Sequence, residues 1–169
     1  MRKKDIERRA RKARKIIKEA CKMVRIKPPR VVFSVFCRGT PCRNFRRGTY
    51  YKELKEILIN TSKPFYEQAA LHEVAHHIHC RKFKPKACID DKRWHPMKFL
   101  KILFWLACWY YKGKPVRYPI KTEYPFLRRP WKKLLKNYKK GLDKPRELWY
   151  NILHNMGERN NKIKKGGIK

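Results

Sequence analysis

Charge is the feature that most restricts what this chain can become: 47 Lys and Arg stand against 13 Asp and Glu, a formal net charge of +34 at neutral pH. Self-repulsion of that size works against a compact state, so the excess is more easily understood as serving a polyanionic partner such as DNA, RNA or an acidic membrane surface. The membrane reading is the weakest of the three. The most apolar stretch, Phe99 to Tyr111, is shorter than the roughly 20 residues a helix needs to span a bilayer, and it reads as a buried helix. The 169 residues allow one sizeable core but not two. A single domain is therefore expected over residues 1–157, with residues 158–169 a basic, disordered tail.

The charged opening residues are followed by no apolar run and are interspersed with acids, so no signal peptide is read and a cytoplasmic location is expected. The cysteines at 21, 37, 42, 80, 88 and 108 form no Cys-x-x-Cys pair, which signals neither a zinc ribbon nor a thioredoxin-type site. In a reducing compartment they are expected to be free thiols. Cys37 and Cys42, flanking a Gly-Thr-Pro turn, are the pair close enough to consider for a disulfide.

Along the chain, Ile6, Ala10, Ala13, Ile17, Ala20 and Val24 recur at spacings of four and three, which predicts an amphipathic helix over residues 2–25 that Pro28 and Pro29 end. Val31 to Phe36 reads as a strand, and a turn follows at Arg38 to Arg43. Thr49 to Lys52 and Glu56 to Asn60 suit a second strand or a hairpin, although Glu53 to Glu56 suits helix equally. Asn60, Thr61 and Ser62 are candidate N-caps for a helix over residues 64–83 with Pro64 in its first turn. Pro96 opens the apolar helix, and short helices are expected at Pro130 to Lys139 and Lys144 to Met156. The order predicts an α+β domain whose small sheet packs against the helix of residues 64–83 and the buried helix after it, flanked by basic N- and C-terminal helices.

The chemistry-bearing motif is His72-Glu73-Val74-Ala75-His76. Residues four apart in a helix share one face, so both imidazoles reach one zinc ion, and Glu73 is placed to act as general base on a water activated there. A catalytic zinc takes three protein ligands and keeps one open position. His79 shares the face but sits a turn further on, and His77 points elsewhere, as a surface or supporting residue. The longer metzincin motif is excluded because His79 and Lys82 stand where it needs glycine and histidine. Asp90 and Asp91 are candidates that more simply balance charge in a basic loop. His95 is the better third ligand from its place before Pro96, though an N-cap or surface histidine fits the same position.

Together, the His72 to His76 motif and the later His95-Pro96-Met97-Lys98-Phe99 segment resemble the SprT-like zinc peptidases over about residues 31–111. In that family a further His, in a His-Gly-x-x-Phe segment or a variant of it some twenty residues after the helix, supplies the third ligand. The resemblance assigns that role to His95, with Pro96 in place of glycine. It implies a zincin-like fold, zinc as cofactor, peptide-bond hydrolysis, and protein substrates on or near DNA, which favours DNA over RNA and allows a nucleoid-associated location. Many members add a cysteine-rich zinc ribbon, for which this chain has no cysteine set, so it would be a minimal version.

The cations of the N-terminal helix, of Arg38 to Arg47 and of Arg128 to Lys140 suit phosphate contacts, and Tyr118, Tyr124, Phe126, Trp131 and Tyr138 suit base stacking. Tyr118 and Tyr124 are also candidates to stabilise an oxyanion, with nothing in the spacing to single one out. The competing expectation is a basic structural protein of a ribonucleoprotein or viral particle that keeps a zincin-like fold with little or no activity.

Overall fold

The computed structural model describes residues 3–34, 48–62, 64–83, 97–111 and 128–139. Its elements are α1 (Lys3–Met23), β1 (Arg30–Ser34), β2 (Gly48–Tyr51), β3 (Glu56–Asn60), α2 (Tyr66–Phe83), α3 (Met97–Tyr110) and α4 (Arg128–Lys139). The fold is α+β with a mixed three-stranded sheet, as expected. No described helix is long and apolar enough to cross a membrane.

Of the expected stripe, α1 buries Ala13, Ile17 and Ala20, and Val24 just past its end, together with Ile16 and Cys21, while Ile6 and Ala10 are half-buried. It ends earlier than the prolines require. Ile26 N–H donates to the Cys21 carbonyl and Arg25 N–H to the Lys22 carbonyl, both at 3.1 Å, and Arg25 has a φ of 53°. This is the paired bonding of a Schellman cap, with an arginine in the left-handed position usually given to glycine. Pro28 and Pro29 lie past it and shape the approach to β1.

In the sheet, β3 is central, parallel to β1 and antiparallel to β2. Glu53 to Glu56 does not form helix: Lys52 to Lys55 make the hairpin turn, closed by Lys55 N–H donating to the Lys52 carbonyl at 3.2 Å. Lys55 takes the left-handed conformation, at φ 49°. Register then decides the inner face. Val31 and Gly48 to Tyr50 are matched so that Val31 and Tyr50 flank Ile57, while Phe33 and Gly48 flank Ile59. Ile57 and Ile59 are fully buried, and Val31 and Phe33 pack against the same core.

α2 lies on that face. It begins at Tyr66, two residues later than expected, because Phe65 takes the left-handed conformation at φ 61°, and Asn60 does not cap it. The Asn60 side chain instead accepts from Ser62 N–H at 3.1 Å and from the Ser62 hydroxyl at 2.6 Å, making a local turn. The first helical acceptor is the carbonyl of Phe65, reached by Ala69 N–H at 3.1 Å. α1 is fastened to this end. Lys12 Nζ meets Glu67 Oε1 at 2.6 Å, and Glu67 also accepts from the Tyr66 hydroxyl at 3.1 Å. Arg9 donates to the Thr61 carbonyl at 3.2 Å while its guanidinium sits over the Tyr66 ring at 5.4 Å. α3 covers another side with Phe99, Ile102, Leu103 and Leu106, all fully buried, and α4 adds Leu134 to the core. With neighbours on three sides, α2 is buried nearly all round, its polar His72, Glu73, His77 and His79 included, and the small Ala69, Ala70 and Ala75 let those neighbours pack close.

Cys21 and Cys108 are buried free thiols. Cys80, in contrast, is disulfide-bonded, which corrects the expectation of free thiols throughout. Its partner lies outside the described residues, and no local spacing announces a bond that only tertiary contact creates. Burial pushes the Cys21 thiol up to about 12 and that of Cys108 to about 11 from an ordinary 9.0. Both thiols are neutral in the fold over a range where the unfolded chain ionises them, so they contribute stability that is lost as pH rises from 9 towards 11–12. Native protein at pH 9 is therefore expected to leave both unalkylated by iodoacetamide until it unfolds, read peptide by peptide in a mass spectrometer. Rapid alkylation of the native protein would contradict their burial.

The Arg38 to Arg43 turn, Cys37 with Cys42, the loop carrying Asp90, Asp91 and His95, Tyr118, Tyr124, the helix expected at Lys144 to Met156 and the tail at 158–169 lie outside the described residues.

Candidate metal centre

His72 and His76 are one turn apart on α2 and their rings converge. The two Nε2 atoms are 3.2 Å apart, with ring centroids at 4.9 Å and planes inclined by 67°. Two ring nitrogens presenting lone pairs to each other at that distance repel, so the approach requires a proton or a cation between them. Nitrogens held at about 2.0–2.1 Å from one tetrahedral zinc stand roughly 3.3 Å apart, so the observed span fits the ion. Among the described residues no group of three or more His, Cys, Asp or Glu is arranged to hold a metal. The described part brings two candidate ligands, His72 and His76, together, and His95 lies outside it.

Phe99 of α3 holds both rings. Its ring lies 4.3 Å from that of His76 and 5.3 Å from that of His72, centre to centre, and it is fully buried. The expectation that Phe99 anchors its helix in the core is met, and the same side chain braces the histidine pair. His72 is buried and His76 only partly so, which leaves the pair open to solvent on the His76 side. His79 also touches Phe99, at 6.3 Å, and stacks on Phe83 at 5.3 Å. Burial first, and then the Lys98 ammonium, lower its pKa, so it is a neutral core histidine.

Glu73 faces the sheet. A Cβ placed on Gly48 would stand 2.8 Å from Glu73 Cγ, 3.2 Å from its Oε1 and 3.2 Å from Ile59 Cδ1. The backbone of β2 therefore runs directly against the Glu73 side chain, and only glycine leaves that room. The contact repeats one step along. Tyr50, two residues further on the same strand face, meets His77, four residues further on the same helix face. Lys27 O accepts from His77 Nε2–H at 2.9 Å, which leaves Nδ1 to accept from the Tyr50 hydroxyl at 3.1 Å. Burial is the main cause that lowers the His77 pKa, in keeping with a neutral ring.

His77 is thus not a surface residue. It points away from the metal side, as expected, but is 1% exposed and ties α2 to β2 and to the segment before β1. Of its two expected roles His77 takes the supporting one, whereas nothing in the motif points to Gly48 or Tyr50. The one local signal is that His77 follows Glu73 by four positions and so shares its face of the helix.

No protein-family model, curated protein or solved structure matches the chain.

Proposed function

We propose that the protein is a zinc-dependent, SprT-like peptidase of zincin-like fold, with His72, His76 and His95 as zinc ligands and Glu73 as general base. The observation that carries this reading is the convergence of the His72 and His76 Nε2 atoms at 3.2 Å, with Glu73 buried between α2 and the Gly48 backbone beside them. Zinc supplies the Lewis acidity that makes a water nucleophilic near neutral pH and polarises the carbonyl it attacks. The chain does the rest. His72 and His76 are held in position by Phe99, and Glu73 takes the proton from the attacking water on a carboxylate oxygen and passes it to the leaving amine. β2 stands at an edge of the described sheet alongside Glu73, where an extended peptide can add as a further strand.

The charge of +34 supports substrates that are nucleic-acid-associated proteins, and the resemblance to SprT-like peptidases is what favours DNA-bound over RNA-bound ones, within the cytoplasm or at the nucleoid. The disulfide at Cys80 is uncommon in a reducing compartment and counts against the cytoplasmic part of this reading. The same charge favours a second reading, a structural nucleic-acid-binding protein with little or no activity. Casein hydrolysis separates the two: zinc-loaded protein cleaves casein and Glu73→Gln does not if the site is catalytic, whereas zinc binding with no Glu73-dependent cleavage supports the structural reading.

A further inference from the structure

The face of α1 opposite its buried stripe carries Lys4, Arg8, Arg11, Lys15, Lys18 and Lys22, at spacings of four and three, and every one is exposed. Residues so spaced form one line along a helix, and from Lys4 to Lys22 the line runs about 27 Å at 1.5 Å per residue. Acids do little to neutralise it. Asp5 lies 3.5 Å from Arg8 and Glu19 3.8 Å from Lys15, exposed pairs of small worth, and Glu7 interrupts the row near its beginning.

We propose that this row is a docking surface for the phosphate backbone of a nucleic-acid duplex. Three observations select that occupant. A duplex presents one negative charge per about 1.7 Å of axis, the densest complement to a straight row of cations. α1 has no aromatic residue, so base stacking, on which single-strand binding relies, has no platform there. The apolar face of α1 is spent on the core, with Ala13, Ile17 and Ala20 fully buried, so no side remains to enter a lipid interface as a membrane-lying helix requires.

The position of the row has a consequence for the peptidase reading. α1 meets α2 at Glu67, through Lys12. Glu67 and His76 are nine residues, or about two and a half turns, apart and so project from opposite sides of α2. A duplex on α1 therefore lies behind the metal centre rather than in it. It holds a protein substrate near the site and is not itself cut. This rests on the nucleic-acid part of the proposed function and does not need the peptidase part.

The test compares two variants of equal net charge by fluorescence anisotropy on a labelled DNA duplex over a salt series. In Lys15→Gln/Lys18→Gln/Lys22→Gln the row is broken with a residue of similar helix propensity. In Lys27→Gln/Lys55→Gln/Lys132→Gln exposed cations elsewhere are removed. The first is expected to lose about tenfold or more in affinity and to flatten the slope of log affinity against log salt by roughly 2 to 3, about 0.9 per phosphate contact; the second should stay within about twofold of wild type. Equal losses in the two variants, tighter binding of a single strand than of the duplex, or equally tight binding to phosphatidylserine vesicles would each overturn the proposal. Hydrolysis of a free peptide is measured on the same samples. Selective loss of duplex binding in a protein that cleaves nothing leaves the docking surface standing and removes the peptidase reading, and cleavage without selective loss does the reverse.

Discussion

Replacement of Glu73 by Gln is expected to lower the rate of peptide hydrolysis by about 10²- to 10⁴-fold, the usual contribution of a general base, while zinc content stays at the wild-type level. Gln has the shape of Glu, so it fills the same space against Gly48, where a missing Cβ leaves room for the side chain. It lacks the carboxylate that accepts a proton. Because the change is isosteric, the His72–His76 pair and its Phe99 brace are expected to keep their places. The comparison is made as kcat/KM on a fluorogenic peptide, with zinc measured in the same preparations. Wild-type turnover in Glu73→Gln would remove the carboxylate from the mechanism.

Gly48→Val should affect activity nearly as strongly by a different route. Any Cβ at this position stands 2.8 Å from Glu73 Cγ, a distance real Cβ atoms do not tolerate, and 3.2 Å from Ile59 Cδ1 on the other side. Something must shift, and Glu73, enclosed between strand and helix, is the nearest group able to move. Overpacking of this kind costs about 1–3 kcal/mol of stability, and displacing a reacting group by about 1 Å costs on the order of 10²-fold in rate. Gly48→Val is therefore expected to keep zinc, to lose about 10²-fold or more in hydrolysis, and to unfold at lower urea concentration. Gly48→Ala should show the same pattern in milder form. Full activity in Gly48→Val, in a folded protein, would show that the strand does not confine Glu73.

What could be read from the sequence follows the range of the interactions concerned. The α1 stripe was legible because helical periodicity is local, and Ala13, Ile17, Ala20 and Val24 are buried as their spacing requires. The one-turn relation of His72 to His76 was legible for the same reason, and their nitrogens do converge. The ends of these helices were less so. α1 stops in a Schellman cap whose left-handed residue is Arg25 rather than glycine, and Asn60 spends its side chain on Ser62 instead of on α2. Glu53 to Glu56 has helix-forming composition, yet hairpin pairing of β2 with β3 overrides it.

The support around the site was not legible at all. Gly48 and Glu73 are far apart in the chain, and nothing local to either says that a strand backbone will lie against the helix there. The Tyr50 to His77 hydrogen bond follows from that same juxtaposition, so one unread contact hid both. The disulfide at Cys80 went unread because pairing of distant cysteines depends on the fold and not on spacing.

The central claim is that His72 and His76 are ligands of one zinc ion. Elemental analysis of the purified full-length chain tests it most directly, with His72→Ala, His76→Ala and His95→Ala alongside. Stoichiometric zinc in the wild type, its loss in the first two variants and its weakening in the third are the expected result. A wild type without stoichiometric zinc after zinc loading, or zinc retained undiminished when His72 and His76 are both replaced, would contradict the account.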